Sequence, residues 1–180
     1  MKTLLCVAIA LAVPLAAETG NRKITANNKL SPPAETSMTL GAQTITIEYN
    51  APSARGRKVE GGLIPYGSVW RLGADAATTL TTTGDIMIGN LRVPKGVHTL
   101  YLAGAEGSAW KLIVNKQTGQ WGTEYSEAQD LGRVDMKVTK LSAPVEKLNI
   151  ALKPGTGSSG TLEVEWGNSR AVVPIRVAGA

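Results

Sequence analysis

The clearest pattern in the chain runs from Gln43 to Tyr49, where Ile45, Ile47 and Tyr49 alternate with Thr44, Thr46 and Glu48. Alternation puts the two sets on opposite faces of a half-buried strand. Thr78–Thr83, rich in β-branched threonine, predicts another strand. Asp85–Ile88 and Leu91–Val93 flank Gly89-Asn90, a two-residue link of the hairpin type. Val97–Ala103 and Trp110–Asn115 predict a pair closed by a Gly104–Ser108 loop. Further strands are expected at Arg133–Lys140, Val145–Lys153, Thr161–Trp166 and Ala171–Val177, the last two joined by a tight turn at Gly167-Asn168-Ser169-Arg170. No stretch sustains an apolar helical period, apart from a helical turn expected around Ser126–Leu131. The fold class that follows is all-β: an antiparallel β-sandwich, jelly-roll-like or barrel-like, of roughly ten short strands in a single domain. Trp110 and Trp166 stand in phase with Leu112 and Val114, and with Leu162 and Val164, and are expected in its core.

The first residues follow a different grammar. Lys2 precedes an uncharged apolar stretch, Leu4–Val13, which Pro14 ends; Ala16-Ala17 then offers small residues before Glu18. This is the pattern of a cleavable signal peptide, and the stretch is shorter than the roughly 20 residues of a membrane span. The expected organisation is a signal peptide over 1–17, a flexible polar leader over 18–36 carrying Pro32-Pro33, and a β domain over 37–178. Export then frames the chemistry. Cys6 is the only cysteine and would leave with the signal, so the mature chain has neither a disulfide nor a thiolate metal site. About 160 residues bury enough core to fold without one. The expected address is periplasmic or secreted, with no membrane span after signal removal.

Charge changes the picture little. The chain carries a net +5, but the basic residues are scattered and none interleave with aromatics along one element. Nucleic-acid binding needs a concentrated footprint and is not expected. A serine–histidine–acid triad needs a proton-shuttling histidine. His98 is the single histidine and sits in phase with Leu100 and Leu102, the position of a structural residue. No metal or other cofactor is expected.

Two segments break the β pattern. Residues 50–79 are long, glycine-rich and collect Arg55, Arg57, Tyr66, Trp70, Arg71 and Asp75; residues 115–133 collect Trp121, Glu124, Tyr125, Asp130 and Arg133. Connections this long inside a compact domain are usually functional. In and around them the chain resembles the bacterial DUF2911 family, a domain of unknown function. The motifs are Tyr49-Asn50-Ala51-Pro52, Gly56-Arg57-Lys58, Gly62-Leu63-Ile64-Pro65-Tyr66-Gly67, and Val69-Trp70-Arg71-Leu72-Gly73-Ala74-Asp75-Ala76-Ala77-Thr78. Pro94-Lys95-Gly96-Val97-His98-Thr99-Leu100 and Trp121-Gly122 followed by Tyr125 complete them. Asp75 stands where the family pattern has asparagine, and His98 where it has an aromatic residue. The resemblance implies an exported β domain and lends no activity.

Three functions compete. A binding or accessory domain would use Arg57, Tyr66, Trp70, Arg71, Asp75, Trp121, Tyr125, Asp130 and Arg133 to hold a glycan, a peptide or another anionic ligand. A carboxylate-dependent hydrolase of envelope or extracellular polymers would draw its acid and base from Asp75, Glu124 and Asp130. A purely structural envelope protein would use the same groups as loop ties, with Asp75 and Asp130 paired to Arg57, Arg71 or Arg133. The binding domain, not an enzyme, is the favoured reading.

Overall fold

The structure, a computed structural model, describes residues 30–107 and 109–179. The signal-peptide reading and most of the leader lie outside them. Ten antiparallel strands carry the fold: β1 (Pro33–Leu40), β2 (Gln43–Asn50), β3 (Val69–Trp70), β4 (Thr78–Thr82), β5 (Ile86–Ile88), β6 (Leu91–Val93), β7 (Gly96–Ala103), β8 (Trp110–Asn115), β9 (Asp130–Pro154) and β10 (Ser159–Val177). A single 3-10 turn, Glu127–Gln129, precedes β9, within the expected helical turn. Among the described residues no helix is long and apolar enough to cross a membrane.

The strand order is β1-β2-β4-β7-β8-β9-β10-β5-β6, with β3 paired to the far end of β7. The path does not close into a barrel. Instead β9 belongs to two parts of it: Asp130–Met136 pairs with β8, and Lys137–Pro154 pairs with β10. The result is sandwich-like, and one apolar cluster joins both halves, with Ile47, Leu80 and Leu100 on one side and Ile150, Val164 and Ile175 on the other. The expected cores of Trp110 and Trp166 are both found, each about 2% exposed. Trp110 donates to Ala105 O at 2.9 Å and Trp166 to Glu146 O at 3.0 Å, so neither indole N–H is left unpaired.

Three expectations are corrected. β1 begins at Pro33, inside the segment read as leader, because a proline at the first position of an edge strand removes no ladder bond that the strand needs. The strands expected at 133–140 and 145–153 are one strand. Residues 141–144 bulge out between the pairs Ser169↔Lys140 and Gly167↔Val145. The expected turn at 167–170 is likewise not a turn but the other side of this bulge, within a continuous β10. The bulge is anchored by Glu60, whose Oε1 accepts from Asn168 N at 2.7 Å and Ser169 Oγ at 2.9 Å.

The edge of β9 that faces away from β10 is sealed by groups from the opposite half. Leu148 N donates to Pro52 O at 2.9 Å, Ile150 N to Tyr49 Oη at 3.0 Å, and Leu152 N to Thr36 Oγ1 at 3.1 Å. Successive outward N–H groups are thus satisfied without a further strand. This fastening also brings residues 50–54 alongside β9, where Ala54 N donates to Glu146 O at 2.8 Å. The irregular 50–79 segment therefore starts from a fixed point.

Candidate functional site

A cavity of about 350 Å³ opens where the 50–79 segment folds over β9 and β10. Its apolar wall is Trp70 of β3 and Trp166 of β10, which stack with centroids 5.5 Å apart at 19°. Arg55, Arg57 and Arg71 line the same cavity. Each guanidinium is steered by backbone carbonyls. Arg57 donates from Nε to Ala54 O at 2.9 Å and from Nη2 to Ser53 O at 2.9 Å. Arg71 donates from Nε to Gly73 O at 3.2 Å, and Arg55 from Nη2 to Leu30 O at 3.2 Å. With five N–H donors on each guanidinium, these bonds orient the forks and leave donors over. None of the three arginines forms an ion pair among the described residues.

The backbone here is held in unusual conformations. Arg55, Leu72 and Asp75 have φ of 52°, 50° and 59°, and they are the non-glycine residues with positive φ among the described residues. Each costs about 1–3 kcal/mol and persists only where the surroundings impose it. Thr78 Oγ1 donates to Leu72 O at 2.8 Å, and Ala74 N to Asn50 O at 3.2 Å, which pins the Leu72–Asp75 turn. Gly122 presses on the same turn from the other irregular segment. Its N–H donates to Asp75 O at 3.0 Å, and a Cβ there would lie 2.6 Å from Arg71 Cδ. Ala76 also forms a β-bridge with Trp121, so the two irregular segments meet at this point.

The rest of the second segment forms a separate cluster. Asp130 Oδ1 accepts from Asn115 Nδ2 at 2.9 Å, while Oδ2 accepts from Tyr125 Oη at 2.7 Å and Arg133 Nε at 3.1 Å. Arg133 Nη2 also reaches Tyr125 Oη at 2.9 Å and Glu127 Oε1 at 2.8 Å. Tyr125 packs edge-on against Tyr101, centroids 4.9 Å apart. Burial, and then the bond to Asp130, push the Tyr125 phenol up to about 12. Asp130 thus accepts three side-chain hydrogen bonds, the arrangement of a clasp.

The family model described as a protein of unknown function (DUF2911) matches residues 31–175. The chain belongs to the DUF2911 family. No curated protein and no solved structure matches it. The match to DUF2911 runs from two residues before β1 almost to the end of β10, so the clasp and all of the cavity lining but Leu30 lie inside the family domain.

The nine residues that the sequence groups into one surface are thus divided in this DUF2911 domain. Arg57, Trp70, Arg71 and Asp75 share the cavity. Tyr125, Asp130 and Arg133 form the clasp, where the expected Asp130–Arg133 pairing is found. Among the ion pairs of the described residues none joins Asp75 to Arg57 or Arg71. Trp121 is 49% exposed at the junction of the two segments. Tyr66 lies elsewhere, exposed against Gly61 and Gly104, because Ile64–Gly67 runs back along the end of β7. Of the hydrolase candidates, Asp75 is the one acidic residue lining the cavity among the described residues, Asp130 is in the clasp and Glu124 is exposed. Nor does any group of three or more His, Cys, Asp or Glu side chains that could hold a metal occur among the described residues. His98 is buried, with Nε2 bonded to Pro94 O at 2.8 Å. Among the other lining residues are Arg55, noted in the 50–79 segment but not among the nine, and Trp166, expected only as core. Arg55 could have been found from its spacing to Arg57, whereas Trp166 reaches the cavity only through the fold.

Proposed function

We propose that this DUF2911 protein is an exported, non-enzymatic binding domain whose cavity takes an anionic extracytoplasmic ligand. The observation that carries this reading is the convergence of Arg55, Arg57 and Arg71 on one cavity, with their forks steered by carbonyls and no carboxylate paired to them among the described residues. Forked guanidinium donors match carboxylate, sulfate and phosphate groups with two parallel bonds. The Trp70 indole N–H, which has no hydrogen-bond partner among the described residues, adds a further donor beside an apolar wall. Export is supported by the Lys2, Leu4–Val13 and Ala16-Ala17 pattern.

Calorimetric titration of the purified protein with small carboxylates, sulfate esters and phosphate tests the reading. Saturable binding is expected for at least one class, with affinity that falls as salt rises. Arg71→Ala is expected to weaken it at least tenfold with the fold intact by circular dichroism, the size of a lost charge-assisted hydrogen bond. Binding unchanged in both Arg57→Ala and Arg71→Ala would remove the cavity from consideration.

A further inference from the structure

An anion receptor does not by itself call for one residue of the lining. Asp75, an acidic residue, lines the same cavity as Arg55, Arg57 and Arg71, on backbone held at φ 59°. Like charges at short range disfavour one another, so a receptor for a bare anion gains nothing from it. A ligand that carries hydroxyl donors beside its anionic group does use it. A carboxylate offers about four lone-pair sites and accepts a hydroxyl in addition to partners it already has. Ser53, also in the lining, adds a hydroxyl that both donates and accepts.

Trp121 is the second observation. Its backbone is fixed by the bridge to Ala76 and by Glu124 N donating to Trp121 O at 2.9 Å, yet about half of the residue is exposed. Unlike Trp110 and Trp166, its indole N–H forms no hydrogen bond among the described residues. An exposed indole on a fixed backbone is a flat apolar platform with a donor at its edge. It adjoins Gly122, which packs on the stem of Arg71, so platform and anion site stand on touching pieces of backbone.

From these we infer that the ligand is an anionic sugar within a glycan chain. Its carboxylate or sulfate sits on the Nη groups of Arg57 and Arg71, a ring hydroxyl donates to Asp75, and the apolar face of an adjoining sugar covers Trp121. A nucleotide offers an anion and hydroxyls too, but base recognition adds hydrogen bonds to the base edge. The amide beside Trp121 is turned inward: Gln120 Nε2 donates to Thr99 Oγ1 at 3.2 Å and Tyr101 Oη at 3.1 Å, and its Oε1 is buried. The inference rests on the anion-binding reading and is tested apart from it.

The purified protein and its Trp121→Ala and Arg71→Ala variants are titrated with galacturonate monomer, its tetramer, a sulfated tetramer, a neutral glucose tetramer and adenosine monophosphate. At least one acidic tetramer is expected to bind more tightly than galacturonate monomer, and the neutral one not to bind. Trp121→Ala should weaken the acidic tetramer by roughly tenfold while leaving the monomer unchanged, and Arg71→Ala should weaken both. Acidic-tetramer affinity unmoved by Trp121→Ala, or adenosine monophosphate bound more tightly than either acidic tetramer, overturns the glycan inference and leaves the anion reading standing. If no acidic probe binds, both fall.

Discussion

Gly122 and Tyr125 are separated by two residues and do different work. Gly122 has no room for a side chain, because a Cβ would meet Arg71 Cδ at 2.6 Å and Asp75 O at 2.7 Å. Gly122→Ala is therefore expected to displace Arg71. Ligand binding should fall to the level of Arg71→Ala, and the urea midpoint should correspond to a loss of about 1–3 kcal/mol from overpacking. Tyr125 instead reports on the clasp. Its phenol is raised from an ordinary value near 10 to about 12, by burial first and by the Asp130 carboxylate second. A raised value means that the folded state holds the proton more tightly than the unfolded chain does. The stabilisation is then complete below pH 10 and is lost as pH rises toward 12. Stability measured by urea unfolding across that window should decline in the natural protein and decline less steeply in Tyr125→Phe. At this scale part was legible: a loop tie between Asp130 and one of Arg57, Arg71 or Arg133 was among the expectations, and the 50–79 segment stood out for its arginines. The division into cavity and clasp was not, because it depends on which strand each loop is fastened to.

Local chemistry decides which elements could be read in advance. The Gly89-Asn90 hairpin and the alternation of β2 are encoded by neighbours in sequence, and both were legible. β9 and β10 were not read as continuous, because Pro144 and Gly167 carry the marks of a turn. The bulge absorbs these residues, and what holds it is remote in sequence: Glu60 on Asn168 and Ser169. The seal along β9 is equally remote and equally specific. Tyr49 Oη is the partner of Ile150 N, and both residues are buried. Tyr49→Phe keeps the ring and leaves that N–H without a partner, at an expected cost of about 1–3 kcal/mol. Chemical denaturation measures it, and Thr36→Val, which removes the neighbouring acceptor for Leu152 N, provides an independent comparison at a less buried position.

For the whole molecule, the absence of cysteine beyond Cys6 leaves pairing and packing to hold the domain. The Trp70–Trp166 stack ties the irregular 50–79 segment to β10 and forms a wall of the cavity, so the same contact serves stability and site. The all-β class was readable from composition and period, and the sandwich-like arrangement from strand number. How β9 is shared was not, since no residue in it announces a change of partner. That sharing bears on how the molecule comes apart. The two halves have no hinge between them: a strand that is a rung of both ladders transmits the opening of one to the other. Amide hydrogen exchange should therefore find Val134–Met136 and Leu148–Leu152 protected to a similar degree, both released only by global unfolding. Early release of one stretch would instead reveal two separately opening units. A protein built this way presents its cavity on a surface that yields all at once or not at all.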